Sequence, residues 1–300
     1  MKYWVIVGEG GGYEEVKSVK ATENRKEEVA KNPKALDRRV IRQDDITFTI
    51  ERDGKRKLYV NGFPEEAPDL FLLWGHYNEQ QEGINDCLLS LGAKSVNPIE
   101  GKRIVCSKLK TADVLGRAGI PQPKTLLLDH GTDADMIEKE LGIPVVVKPS
   151  DGAQGEGVKL LKTREELDAY IQALPERLNG VILAQEFIAS SKGRDVRVYI
   201  IDHKYMASGM RIAGNADEFR SNLHQGGRVE LYPIDEAAQK MCEKVSEICG
   251  LRICGVDLLI TGDGYVVGEV NCTPGMTVLD MGSEQFRKTM QGVVLNTLNQ

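Results

Sequence analysis

The stretch from Val147 to Val158 constrains this chain more than any other. It reads Val-Lys-Pro-Ser-Asp-Gly-Ala-Gln-Gly-Glu-Gly-Val and joins two strand-like segments, the first of them the β-branched run that starts at Val145. Glycines at 152, 155 and 157 let backbone N–H groups come close to an anion, because no Cβ stands in the way. Ser150, Gly152, Gln154 and Gly155 are candidate contacts for a polyphosphate, and Lys148 would add a full positive charge at the end of the incoming strand. The order Gly-x-x-Gly-x-Gly is not the phosphate loop that opens a helix with Gly-Lys-Ser/Thr. It also reverses the protein-kinase order. On these residues alone, a polyphosphate cradle and a glycine-rich hairpin turn with a solvated Lys148 are equally compatible.

A second signal lies near the C-terminus. Asp257 precedes the turn Gly262-Asp263-Gly264, and Glu269 and Asn271 follow it. If those three residues form the loop, 261 pairs with 265 and Asp257 lies opposite Glu269. Glu269 and Asn271 share a face because they are two apart on a strand. Three oxygen ligands would then converge, about 5 Å apart across the strands, a set suited to magnesium. Val256, Leu258, Val267 and Val270 bracket the acids with apolar groups, so they would be poorly hydrated without a cation. A two-residue turn at Asp263-Gly264 would put Asp257 on the other face.

A third group is cationic: Arg194, Arg197, Arg211 and Arg220, with Ser221 and Asn222 beside the last. Guanidinium forks match carboxylate and phosphate. Arg197 and Arg211 sit on strands joined by Asp202-His203-Lys204, so both can reach one cleft, whereas Arg194 reads as a surface ion-pair residue. Lys108 stands in the first turn of a helix capped by Ser107, where a cation opposes the helix dipole; a nearby anion would account for it.

With 300 residues the chain has room for two or three packed lobes. A net charge of −6 with mixed signs offers no basic stripe for nucleic acid. The first apolar run, Tyr3–Val7, is too short for a signal peptide or a membrane span, so a cytoplasmic protein is expected. The six cysteines form no Cys-x-x-Cys pair and read as reduced core thiols, with Cys272 placed beside the expected metal ligands. Residues 2–7 and 70–74 read as buried strands, 46–51 and 57–60 as a hairpin about Asp53-Gly54, and 97–103 as a linker. The cluster Gly8 to Gly12 lacks the third glycine of a dinucleotide fingerprint, because Tyr13 stands there. The later segments mix helices with antiparallel hairpins, which predicts α+β lobes behind an α/β unit.

Together these residues resemble the ATP-grasp superfamily and, within it, RimK-type glutamate ligases. The likeness covers roughly residues 102–300. It rests on Ser107-Lys108-Leu109, Ala118-Gly119-Ile120-Pro121, Val147-Lys148 with the loop to Gly157, Gln185-Glu186-Phe187-Ile188 and Gly193-Arg194-Asp195-Val196-Arg197. It continues through Phe219 to Gly227, Gly255-Val256-Asp257 and Glu269-Val270-Asn271-Cys272-Thr273-Pro274-Gly275. The resemblance implies an ATP-grasp fold of two α+β lobes, 101–188 and 189–300, behind a pre-ATP-grasp α/β domain at 1–100. It implies that Lys108 and Lys148 bind phosphates, that Gln185, Glu186, Phe187 and Ile188 form the hinge against adenine, and that Asp195 holds the ribose side. Arg220, Ser221 and Asn222 would hold the phosphate side, and Asp257, Glu269 and Asn271 the metal. The cofactors implied are ATP and magnesium, with manganese as the alternative ion.

The activity implied is carboxylate–amine ligation through an acyl phosphate, with Arg211, Arg220 and Lys148 as catalytic cations. An amino acid such as glutamate would be added to a carboxylate acceptor, which is a small molecule, a peptide or a protein C-terminus. No nucleic-acid or membrane partner is expected, and a homo-oligomer stays open. A phosphotransferase using the same nucleotide grasp and a non-catalytic ATP-binding regulatory module are the alternatives.

Overall fold

The computed structural model describes residues 1–8, 37–129, 131–152, 156–175, 180–215, 219, 226–275 and 284–299. The chain opens with β1 (Lys2–Val7) and β2 (Asp37–Arg42), followed by the antiparallel trio β3 (Ile46–Ile50), β4 (Arg56–Val60) and β5 (Phe63–Glu65). Then come β6 (Leu70–Trp74), α1 (Glu79–Ser90) and β7 (Lys94–Ser95). Strands β2-β1-β6-β7 form a parallel sheet in that order. Its core strands are apolar throughout because both faces are covered. Trp4, Ile6, Phe71 and Leu73 pack with Ile84 and Leu88 of α1 and with Leu58 and Val60 of the trio. Tyr3, Val5, Val7, Leu70 and Leu72 pack on the opposite face. The expected turn at Asp53-Gly54 forms, with the Gly54 N–H donating to the Glu51 carbonyl at 2.9 Å and Gly54 at φ +82°.

The segment expected to be a linker is instead a helix, α2 (Ile99–Val105). Ile99, Val105 and Lys102 are all buried. A Cβ at Gly101 would lie 2.5 Å from the Cys249 carbonyl oxygen, so this position packs backbone to backbone. Tertiary burial, rather than local periodicity, makes this short segment helical.

Helix α3 (Lys108–Arg117) starts at Ser107, whose hydroxyl accepts from the Lys110 N–H, and ends before Gly119 at φ +70°. After it come β8 (Thr125–Leu128), α4 (Ala134–Leu141), β9 (Val145–Pro149), β10 (Lys159–Leu161), α5 (Arg164–Gln172) and β11 (Ile182–Glu186). The antiparallel sheet β10-β9-β11-β8 turns Val145, Val147 and Ala184 toward α4 and α5. The alternate residues, Lys148 and Gln185, point the other way. Thr163 caps α5 by accepting from the Glu166 N–H at 3.3 Å.

The last sheet, β14-β13-β12-β15-β16, contains β12 (Arg194–Ile201), β13 (Lys204–Ile212), β14 (Arg228–Leu231), β15 (Ile253–Thr261) and β16 (Gly264–Asn271). Helix α6 (Glu236–Ile248), capped by Asp235, covers one face. Val196, Val198, Val256 and Leu258 pack there with Cys242 and Val245 of α6 and with Leu115 and Ile120 from α3 and its exit. A final helix, α7 (Glu284–Leu298), places Val293 and Val294 against the N-terminal sheet and against Ile201 and Ile253.

Candidate active site

The hairpin β15–β16 brings Asp257 opposite Glu269, as expected, but by a different route. The loop has two residues, Gly262 and Asp263, with Thr261 paired to Gly264; the three-residue loop is therefore corrected. That register alone would set Asp257 opposite Gly268. A β-bulge intervenes: Leu258 pairs with Val267 and Asp257 with Glu269, leaving Gly268 as the extra residue. Gly268 is tolerated there because it lacks a Cβ, which would fall 3.0 Å from Leu259 Cγ.

Asp257 is almost fully buried. The Arg197 fork donates to both its oxygens, Nε to Oδ1 at 2.8 Å and an η-nitrogen to Oδ2 at 2.7 Å. Arg211 donates to Oδ2 at 2.7 Å and also bonds both carboxylate oxygens of Asp195. Burial pushes the Asp257 carboxyl up, but the two guanidinium groups outweigh it and hold the group at about 2. The Asn271 Nδ2 donates to Asp257 Oδ2 at 3.1 Å, which turns the amide oxygen outward. The two-residue turn Asp202-His203, both at positive φ, joins β12 to β13, and a register shift between Tyr199 and Ile200, with Met206 as the extra residue, then brings Asp195 opposite Arg211. Arg194, expected to be a surface ion-pair residue, is exposed, and its guanidinium donates to the Ser190 carbonyl.

Facing this sheet are the two lysines. Lys148 Nζ donates to Gln185 Oε1 at 2.6 Å, and Gln185 Nε2 donates to Thr125 Oγ1 at 2.9 Å. Burial pushes the Lys148 ammonium down to about 8; Glu269 opposes that shift and Lys108 adds to it. Lys108 Nζ donates to the Gly152 carbonyl at 2.9 Å and lies 3.7 Å from Glu269 Oε1. Ser150 is buried and stitches the glycine-rich strand end to α3: its hydroxyl accepts from the Leu109 N–H at 3.1 Å, and its carbonyl accepts from the Lys108 N–H at 2.7 Å. Lys108, Lys148, Gln185, Gly268 and Glu269 line one cavity.

Glu186 is the last residue of β11, with Phe187 and Ile188 just beyond it, and its N–H donates to the Lys124 carbonyl at 2.9 Å. Asp195 joins the arginine–aspartate network around Asp257. Gly152 is at φ +97° and Gly157 at φ +70°, backbone that favours glycine. The expectations for Gln154, Gly155, Arg220, Ser221, Asn222 and the cluster from Glu9 to Gly12 lie outside the described residues. Sequence reasoning brought Arg197 within reach of the cleft but gave it no nucleotide, metal or catalytic role; in the structure it holds Asp257. Thr125 and the bulge at Gly268 had no sequence signal of their own.

The donor set was tested for a hard divalent cation. Among the described residues there is no group of three or more His, Cys, Asp or Glu side chains that would cage a metal. Two carboxylates and an amide oxygen suit magnesium, which completes its shell with water and phosphate. Asp257 is anionic, its Oδ1 carries one hydrogen bond and keeps a lone pair, and Glu269 is partly exposed. The residues fit.

The RimK-like ATP-grasp domain family matches residues 106–288, more than half of the chain. The chain belongs to the RimK-like ATP-grasp family. Relatives include a probable alpha-L-glutamate ligase of Hydrogenovibrio crunogenus, 39% identical over 179 residues, which cover 59% of each chain. Another, from Halorhodospira halophila, is 37% identical over 187 residues, 62% of this chain and 61% of the relative. The chain thus spans about three fifths of the curated relatives it matches. Among solved structures, the ATP-grasp ligase PsnB with minimal precursor, Mg and ADP aligns over 98% of both chains at TM-score 0.67 and 20% identity. A D-alanine–D-alanine ligase of Bacillus anthracis with ATP aligns over 99% of this chain and 96% of its own at TM-score 0.64 and 20% identity. These two likenesses establish the ATP-grasp fold. No described helix is long and apolar enough to cross a membrane.

Proposed function

We propose that this RimK-like ATP-grasp chain is an ATP- and magnesium-dependent ligase that joins a carboxylate to an amine through an acyl phosphate. The observation that carries the reading is the juxtaposition across one cleft: Lys108 and Lys148 on one side, Glu269 with the adjoining Asp257 and Asn271 on the other. Cations opposite a hard-oxygen donor set suit a nucleotide triphosphate with its divalent ion. Lys108, Lys148 and the glycine-rich strand end would hold the phosphates, and Gln185 with Glu186, Phe187 and Ile188 would line the base. Asp257, Glu269 and the Asn271 amide oxygen would hold magnesium, which when bound supplies charge neutralisation for the transferring phosphoryl group.

In the reaction, an acceptor carboxylate oxygen attacks the γ-phosphorus and ADP leaves. The amine then attacks the acyl carbon, inorganic phosphate leaves, and one proton is released with the amide. Lys148 supports the first step by opposing negative charge on the phosphoryl oxygens. Arg211, once its hold on Asp195 and Asp257 loosens, is placed to stabilise the acyl phosphate. Arg220, Ser221 and Asn222 are proposed on the phosphate side from the sequence motif they belong to. The names of the relatives favour glutamate as the amino acid added to a carboxylate acceptor, and a cytoplasmic location accords with that chemistry. A likeness to a ligase solved with a precursor peptide keeps a peptide acceptor within the proposal.

The test is incubation with Mg-ATP, hydroxylamine and a panel of amino acids and carboxylates, read by mass spectrometry. A hydroxamate with matched ADP and phosphate supports the ligase. A stable phosphoester identifies a phosphotransferase, and nucleotide binding without turnover identifies a regulatory module; either overturns the proposal.

A further inference from the structure

Cys106 and Cys272 are 166 residues apart in sequence, yet their Sγ atoms stand 3.9 Å apart. Cys106 closes α2 just before the Ser107 cap, and Cys272 directly follows Asn271 at the end of β16. All six cysteines are free thiols. The other four, Cys87, Cys242, Cys249 and Cys254, are buried, and burial pushes their thiols upward. Cys106 alone is not fully buried and keeps some contact with solvent. The two sulfurs share one hydrogen bond, in which either can donate, and the ammonium groups of Lys102 and Lys108 favour the Cys106 thiolate against burial and Glu269. A cationic, partly exposed setting of this kind is what makes a thiol reactive. A disulfide needs the sulfurs about 2 Å apart, so the pair has to close by roughly another 2 Å on oxidation.

We infer that Cys106 and Cys272 form an oxidative modification site, in which a peroxide converts the two thiols to one disulfide beside the nucleotide cleft. Peroxide oxidises the Cys106 sulfur to a sulfenic acid, and one water leaves. The Cys272 sulfur then attacks the Cys106 sulfur, and the hydroxyl departs with the Cys272 proton as a second water. Two electrons pass from the sulfurs to the peroxide, whose O–O bond breaks. A small thiol reverses the change, two equivalents becoming its own disulfide. The new bond ties the start of α3, which carries Lys108, to the residue after Asn271. It thereby restrains the two edges that the proposed ligase must adjust around Glu269. The effect on activity rests on that proposed function; the formation of the bond does not.

The test treats the full chain with hydrogen peroxide, blocks remaining thiols under denaturing conditions, and maps peptides without reduction. A Cys106–Cys272 linked peptide, two hydrogens lighter than its two thiol halves and abolished by dithiothreitol, is expected. Mg-ATP-dependent hydroxamate formation should fall by about 100-fold on oxidation, as displaced reacting groups cost, and recover with dithiothreitol, while Cys106→Ser keeps its activity through the same treatment. Recovery of Cys106 only as sulfinic acid, or of both thiols unlinked, overturns the inference, and a linked peptide with unchanged turnover overturns its effect on the ligase. If the reduced chain forms no hydroxamate at all, the ligase reading fails, and the linked peptide alone still decides the redox site.

Discussion

At Lys148, burial and a neighbouring ammonium oppose the positive charge that phosphate binding requires, which sets the group near 8. A bound triphosphate favours the protonated form, so binding takes up a proton at higher pH. Nucleotide affinity should be full below about 8 and decline as pH rises through that value. Calorimetric titration between about pH 7 and 9 checks this, and Lys148→Arg should flatten the profile, because a guanidinium does not titrate there. A flat wild-type profile speaks against the assignment. Glu269 and Arg197 make a contrasting pair. Glu269 is partly exposed with one long ion pair, so Glu269→Ala should lower turnover by about 100-fold or more while leaving the unfolding midpoint in urea nearly unchanged. Arg197 is buried against Asp257, so Arg197→Met leaves that buried carboxylate with Arg211 as its remaining guanidinium partner and should cost about 3 kcal/mol of stability in the same urea experiment.

Among the elements, the β15–β16 hairpin shows how a site depends on backbone detail. The two-residue turn and the bulge each shift the register by one, and only together do they return Asp257 and Glu269 to one face. Gly268→Val places branched carbons against Leu259, which would already meet a Cβ at 3.0 Å. Overpacking of this kind costs about 1–3 kcal/mol, and it should also raise the magnesium concentration needed for half-maximal turnover. Normal magnesium dependence in this variant would mean that the bulge has no part in holding the acids. Helix α2 makes the complementary point. Its sequence has Pro98 before it and Gly101 within it, so it reads as a linker, yet burial of Ile99, Lys102 and Val105 makes it a helix. Lys102 Nζ then donates to the Leu73 and Gly75 carbonyls and to Gln81 Oε1, tying α2 to the N-terminal sheet.

Over the whole molecule, the two ends of the chain support one another. Val293 and Val294 of α7 pack on Tyr3, Val5 and Leu72 and also on Ile201 and Ile253, so α7 joins the first sheet to the last. Val293→Ala should lower stability by about 2 kcal/mol through lost burial and a cavity. If α7 couples the two regions, denaturation followed at Trp4 and by overall helicity should show both transitions shifting together; a shift in helicity alone would contradict that coupling.

Much of the fold was legible in the sequence because it is carried by local signals. Ser107, Thr163 and Asp235 cap their helices, Gly119, Gly142 and Gly250 end theirs at positive φ, and alternation along β12 put Asp195 and Arg197 on one face. The residue types at 108, 148, 257, 269 and 271 were likewise readable, since cations, oxygen donors and glycines follow from the chemistry of phosphate and magnesium. Tertiary structure alone decided which of them meet and what each charge experiences. The bulge at Gly268, the sharing of Arg211 between Asp195 and Asp257, and the approach of Cys106 to Cys272 join residues far apart in the chain. No local pattern encodes them, because they arise only when separate sheets and helices bury surface against one another.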